Sequence, residues 1–312
     1  MDVIINLNKP SGITSHDAVT RVKRLLGARK AGHTGTLDPM ATGVLLICLN
    51  EATKISRFLL GMDKKYRARV KLGERTDTHD SQGRVIERKD ISSVTENSIT
   101  RTVEMFKGCI KQKPPMYSAV KINGETLYKL ARKGIEIDRP ERAVEIYDIA
   151  VLGIDLPYFD LTISCSKGTY IRTLCDDIGT GLGTGAHLVS LERTGIGFFS
   201  IEKSVIFDDL GKDKKNFSPL EEFFHQGSGN RERTFPTEGA FYSIDTAIAG
   251  LKEIFLDEAD YKKAKNGVPI IFNKTNELSN DESVRLKGPL GNLFGIGRVY
   301  ADMIRIERIL HL

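Results

Sequence analysis

Residues 32–45 read GHTGTLDPMATGVL and hold one aspartate and one histidine among three glycines and a proline. A carboxylate in such a place can act as a nucleophile or a general base if it is held stiffly. Pro39 fixes its own φ and pushes Asp38 toward an extended conformation. The glycines permit tight turns and close backbone approach, and the apolar run Val44, Leu45, Leu46, Ile47 follows directly. Asp38 therefore sits on a shaped loop that leads into a buried strand, and loops of this kind on a rigid scaffold often carry chemistry. Spacing alone leaves two roles open for Asp38: a turn former whose carboxylate caps nearby backbone N–H groups, or a catalytic group.

Three other residues draw attention by where the pattern puts them. Ile171, Leu174, Ile178 and Leu182 recur at helical spacing, which places Tyr170 and Arg172 in a helix's first turn. A cation there opposes the macrodipole, so Arg172 must answer to an acid or a phosphate. Tyr66 enters an alternating strand, with Tyr66, Ala68, Val70 and Leu72 on one face and Arg67, Arg69 and Lys71 on the other. By default such a tyrosine is a core or edge aromatic. Asp77, His79 and Asp80 lie in the turn-rich run 73–83 and read as Asx and Ser/Thr turns rather than metal ligands. The four cysteines, Cys48, Cys109, Cys165 and Cys175, form no CxxC pair, so neither a zinc site nor a disulfide framework is expected. No P-loop or dinucleotide fingerprint is present.

The net charge of +5 on 312 residues is mild, but its distribution is not. Between Lys107 and Lys133 seven basic residues (Lys107, Lys111, Lys113, Lys121, Lys129, Arg132, Lys133) face one acid, Glu125, a net +6. Tyr117 and Tyr128 are interleaved with them. Phosphates want cations and exposed bases want aromatic faces, so the segment suits RNA; a solvated basic face is the plainer alternative. The N-terminus has no signal-peptide pattern and no apolar stretch reaches membrane-span length. A soluble, cytoplasmic protein is expected.

The positioning elements follow from periodicity. A strand over Val3 to Leu7 is followed by a turn and a helix with Ser15 as N-cap and Ala18, Val19, Val22, Leu25 and Leu26 inward. A strand over Val44 to Leu49, a short helix over Thr53 to Leu60, a helix over Thr95 to Lys107, a basic helix over Glu125 to Lys133 and a strand through Phe159 to Cys165 come next. Residues 211–240 read as a linker with one amphipathic patch (Leu220, Phe223, Phe224), which puts a domain boundary near 240. Beyond it come a small helix over Asp257 to Asn266 and glycine-punctuated strands over 284–312.

GHTGTLDPMATGVL, together with NKPSGITS (8–15), the KKYR run (64–67), GERTDTHDSQG (73–83) and GTYIRTL (168–174), resembles the motifs of the TruB family of pseudouridine synthases. That family acts on uridine in the T loop of tRNA, at the position usually numbered 55. The resemblance implies an α+β catalytic domain with a mixed, mostly antiparallel sheet over 1–240, an RNA-gripping insertion at about 107–142, and a PUA-like RNA-binding barrel over 246–312. It implies that Asp38 is the essential catalytic residue and Arg172 its partner. Tyr66 would stack on the uracil, Tyr170 and Leu191 would line the uridine pocket, and His33 would fill or brace the vacated space in the RNA loop. Lys107, Lys111, Lys113, Lys121, Lys129, Arg132 and Lys133 would hold RNA. The isomerisation implies no cofactor and no metal, and the expected partner of this monomer is the tRNA T stem-loop. Thr184 and Glu192 depart from the family's more frequent Cys and Arg, and Glu192 removes one possible phosphate contact. Whether Asp38 attacks the ribose, attacks the base or abstracts a proton stays open. A tRNA-binding or folding factor, or a synthase acting on another RNA, is the alternative. Asp38, Arg172 and Tyr66 together argue for the enzyme, since a binder needs no such trio.

Overall fold

The run Thr42–Leu49 is apolar at nearly every position because both of its faces are covered. Leu45, Ile47 and Leu49 point into one core, and Val44, Leu46 and Cys48 into another. A computed structural model of the chain describes residues 1–118, 120–122, 124–212, 239–271 and 278–312. Among them a ten-stranded sheet runs in the order Phe241–Ser243, Val3–Lys9, Thr42–Leu49, Ala186–Ile196, Lys64–Leu72, Tyr158–Cys165, Arg142–Asp155, Gly108–Gln112, with two short strands off this path. One pairing within it is parallel, Glu192 and Arg193 against Thr42 and Gly43. The others are antiparallel, as predicted.

Helices Ser15–Leu25, Glu96–Glu104 and Ile171–Gly181 cover one face and bury Val22, Ile99, Val103, Leu174 and Ile178 against the strands. The alternation in Lys64–Leu72 is obeyed, with Tyr66, Ala68, Val70 and Leu72 inward. The opposite face packs on the short helical stretch Asn50–Leu60 and on a second, five-stranded sheet. That sheet, the PUA-like region, runs in the order Glu253–Phe255, Ser283–Lys287, Leu293–Tyr300, Met303–Ile309, Ile270–Ile271 and has its own core around Val284, Leu286 and Ile304. It is docked on the first: Leu293, Ile296 and Leu310 join Ile55 and Leu59 in one apolar cluster. Lys54 Nζ donates to the Ile309 carbonyl at 2.9 Å, the His311 N–H donates to Glu51 at 2.9 Å, and Arg57 pairs with Glu307.

Several boundaries differ from the pattern. The cap of the first helix is Thr14, not Ser15, because Thr14 and Asp17 satisfy each other's backbone N–H groups in a capping box. Ser15 is thereby free for another task, described below. The helix predicted over Thr53 to Leu60 begins earlier, as a 3₁₀ turn at Asn50–Ile55 that runs on into the α-helix Ser56–Leu60. The basic helix shrinks to Leu127–Arg132, since Glu125 and Thr126 pair with Lys121 and Ile122 as a small hairpin. The predicted patch at Leu220, Phe223 and Phe224 lies outside the described residues, as does the Lys121 side chain. No helix among the described residues is long and apolar enough to cross a membrane.

Candidate active site

Asp38 is held by a loop laced to its neighbours through backbone atoms. Gly12 N–H donates to the Pro39 carbonyl at 2.8 Å, and Ser11 Oγ donates to the Met40 carbonyl at 3.1 Å. The buried Ser15 hydroxyl donates to the Leu37 carbonyl and accepts from the Leu37 N–H, at 3.0 and 2.8 Å. Lys9 reaches inward, and its Nζ donates to the carbonyls of Pro10, Ile13 and Pro39 at 2.8, 2.9 and 3.4 Å. The NKPSGITS segment thus straps the Asp38 loop from below. Gly43, where the loop enters its strand, has φ +99°, and a Cβ there would sit 2.3 Å from the Arg193 carbonyl oxygen. Only glycine fits.

Arg172 meets Asp38 side by side, with Nε 2.9 Å from Oδ2 and Nη2 3.4 Å from Oδ1. The same guanidinium donates to Asp80 Oδ2 at 3.3 Å, to the Thr78 carbonyl at 3.2 Å and to the Tyr117 carbonyl at 2.7 Å. Asp80 is buried, and its other oxygen accepts from Thr78 Oγ1 and the Gln82 N–H. One helical turn beyond Arg172, Asp176 grips Arg75 through two bonds of 2.8 and 2.9 Å. Residues 172 and 176 share a helix face, so this helix offers a cation and an anion to one loop, 75–80, and receives an anion and a cation in return.

Two cations act on the Asp38 carboxylate: Arg172 touches it and Lys9 lies within its field, while the charge of Arg193 acts on Lys9. Arg193 is 1% exposed, and among the described residues no carboxylate pairs with it. Its Nε donates to the Val44 carbonyl at 2.7 Å and its Nη2 to the Gly35 carbonyl at 3.0 Å, and its charge acts on the Tyr66 hydroxyl. Burial nonetheless dominates Asp38: it raises the carboxyl above its usual range, Arg172 pulls it back, Asp80 pushes it up and Lys9 lowers it. Burial also brings Lys9 down to about 8, against the pull of Asp38 and with the help of Arg193. The Asp38 side chain keeps 34% of its surface open, so solvent and substrate can reach a group that the surrounding protein largely desolvates.

The other residues singled out in the sequence fall around this centre. Tyr66 pairs across the strands with Arg193 and is only 8% exposed, with its hydroxyl pushed up by burial. Leu191, two positions before Arg193, is buried in the same core. His33 pairs with Ile47; its buried Nδ1 has no hydrogen-bond partner, and burial followed by the Arg193 charge lowers its pKa. Tyr170 is half-buried at the N-cap of the helix that carries Arg172.

The basic segment touches this centre through the Tyr117 carbonyl and is less positive than its count. Lys107 pairs with Asp148, Lys113 with Asp138 and Lys133 with Glu125, each at 2.7 Å, and two of these acids lie outside 107–133. Arg132 sits 5.7 Å over the Tyr128 ring. Lys111 and Lys129 are exposed. A cleft of about 560 Å³ opens beside Met40, Thr42 and Leu191. Within it Glu192 faces Arg67 at 3.7 Å and Asp160 faces Arg69 at 3.8 Å. The charge at 192 is therefore answered by its cross-strand neighbour.

Asp80, Lys9 and Arg193 are the members of the site that pattern reading missed. Asp80 carries every mark of a turn residue and does bond its own turn; only the fold brings Arg172, 92 positions away, to its free oxygen. Lys9 and Arg193 carry a single local signal, a cation at an inward position of a buried strand.

The chain matches two family models, "TruB family pseudouridylate synthase (N terminal domain)" over residues 23–171 and "tRNA pseudouridylate synthase B C-terminal domain" over residues 172–223. It is 46% identical to the tRNA pseudouridine synthase B of Clostridium tetani, covering 99% of this chain and all of that protein. It is 39% identical to the protein of the same name from Haemophilus influenzae strain PittEE, covering 99% of this chain and 95% of that one. Among solved structures, a Cbf5-Nop10-Gar1 complex superposes with a TM-score of 0.72 at 27% identity, over 98% of this chain and 84% of the matched chain. An H/ACA RNP bound to a substrate RNA shares the fold, with a TM-score of 0.71 at 24% identity over 99% and 85% of the two chains.

Proposed function

We propose that this chain, which belongs to the TruB family of pseudouridylate synthases and isomerises uridine to pseudouridine in tRNA, acts on the T-loop uridine, position 55, with Asp38 as its essential group. The observation that carries the assignment is the Asp38–Arg172 pair: one carboxylate on a laced loop, met by a guanidinium that a second acid orients. The reaction breaks a C–N glycosidic bond and makes a C–C bond within one nucleotide. It transfers no electrons to an external acceptor, so neither a cofactor nor a metal enters the proposal.

A uridine stacked in an RNA loop hides its reactive atoms, so it must be turned out of the stack. Tyr66 would then stack on the uracil, Tyr170 and Leu191 would close around it, and His33 would brace the space it left. Asp38 acts as the carboxylate. Arg172 and Lys9 work against the burial that raises its pKa and so favour the charged form. Lys107, Lys111, Lys113, Lys121, Lys129, Arg132 and Lys133 are proposed to hold the T stem-loop, within an insertion at about 107–142 of a catalytic domain spanning 1–240. Residues 246–312 are proposed as a further RNA contact, and the enzyme as a cytoplasmic monomer.

The test is Asp38→Asn, which keeps the size of the side chain and removes its charge and nucleophilicity. Once folding has been checked, pseudouridine yield and filter-binding affinity are measured on the same T-arm RNA. Yield should fall to background while affinity stays near that of the native protein, because phosphate contacts and stacking do not depend on this carboxylate. Native yield from the Asn variant would remove Asp38 from the mechanism.

A further inference from the structure

The helix that carries Arg172 begins without a cap of its own. Its N-cap residue is Tyr170, whose side chain makes no capping bond. Gln112, 58 residues earlier, supplies the missing tie: the Tyr170 N–H donates to Gln112 Oε1 at 3.0 Å, and Gln112 Nε2 donates to the Tyr170 carbonyl at 3.3 Å. Both functional atoms of one amide are thus given to the backbone of one residue, much as a neighbouring strand would bond it. Gln112 is 2% exposed and closes the edge strand Gly108–Gln112, at the root of the basic segment. A little farther along, the Tyr117 carbonyl accepts from Arg172 Nη2 at 2.7 Å. Segment 112–117 therefore touches the start of this helix twice, once at the backbone two residues before Arg172 and once at the guanidinium itself.

We infer that Gln112 is a positioning residue for catalysis: it fixes the first turn of the Ile171–Gly181 helix so that Arg172 lies flat against Asp38, and it joins that alignment to the segment proposed to hold RNA. The inference rests on the roles proposed for Asp38 and Arg172. Geometry makes the lever effective. Arg172 reaches Asp38, Asp80, Thr78 and Tyr117 from a single position, and a shift of the helix start would trade one of these bonds against the others. Reacting groups tolerate little displacement; about 1 Å of misplacement can cost on the order of a hundredfold in rate.

The experiment compares the native enzyme with Gln112→Ala and Gln112→Met in the full chain. Met fills the space of the amide and makes neither bond. Both variants should lose roughly tenfold to a hundredfold in kcat on T-arm RNA, with KM and binding affinity nearly unchanged. The acid limb of the kcat profile should move to higher pH, because a displaced Arg172 no longer lowers the Asp38 pKa as strongly. A residue that only braces the fold would lower Tm and leave the acid limb in place. That result, or native kcat in either folded variant, overturns the inference. If Gln112→Ala fails to fold, Gln112→Met decides alone. Native yield from Asp38→Asn would instead sink the underlying assignment, whatever Gln112 does.

Discussion

The Asp38 centre and the basic segment 107–133 both gather positive charge, and they do so in opposite ways. Around Asp38 the cations are buried, each fixed by several carbonyl or carboxylate oxygens; Arg172 and Lys9 act on the carboxylate itself, and Arg193 acts on Lys9, Tyr66 and His33. In the basic segment the cations are exposed, and three of the six whose side chains are described are already paired with acids. A buried charge is worth what its geometry makes it worth, since desolvation is large and only well-placed partners offset it. An exposed charge is worth little singly and acts through number and through the salt around it. Counting residues therefore describes the second region tolerably and the first hardly at all.

The contrast breaks most visibly at Arg172. Arg172→Met leaves Asp80 buried without its cation, which should cost about 3–5 kcal/mol of stability, and removes the partner of Asp38. Single-turnover rates should fall by roughly 10²–10³, with any residual activity shifted to higher pH. The sign follows from the proposed role: with the carboxylate as the active form, activity is lost as pH falls through the Asp38 pKa, and Arg172 is what draws that pKa down. Thermal unfolding and a pH–rate profile check both parts.

Asp80→Asn sharpens the same comparison with a smaller change. It removes a negative charge that raises the Asp38 pKa, so the acid limb should move to lower pH, opposite to the Arg172 variant. It also loosens Arg172, and the rate should drop by roughly tenfold. An acid limb that moves to higher pH instead would show that Asp80 matters more for holding Arg172 than for its own charge.

The smallest effect belongs to the surface. Neutralising Lys111 and Lys129, for which no acid partner is found among the described residues, should lower the log–log salt slope of RNA binding by roughly 0.7–0.9 for each phosphate no longer neutralised. Neutralising Lys113 and Lys133 should lower it less, because Asp138 and Glu125 already offset them. Equal changes of slope from the two pairs, measured by filter binding across a salt series, would mean that these surface ion pairs open freely when RNA arrives.

Much of this was legible in the sequence, for reasons that can be named. Period-two alternation placed Lys64–Leu72 and Tyr158–Cys165 correctly, because each has one face in the core. The stiff loop around Asp38 could be read from Gly and Pro, since their backbone limits are local. The first helix cap was missed by one residue because Thr14 and Ser15 are both good caps, and only the spacing to Asp17 separates them. Long-range partners were not legible. Asp80, Lys9 and Arg193 take their meaning from strands and loops that meet only after folding, and no local rule marks a cation that will be buried among carbonyls.

The shared apolar cluster beneath the sheet has a consequence for biosynthesis. Ile55 and Leu59 are made early, yet the residues that cover them include Leu293, Ile296 and Leu310. A chain cut before residue 293 would lack those three side chains and leave this apolar floor less covered. A polypeptide released before residue 293 would keep Asp38, Arg172 and Tyr66 and still present a sticky underside to proteases. In this architecture the apolar floor under Ile55 and Leu59 is finished only where early and late residues of the sequence meet.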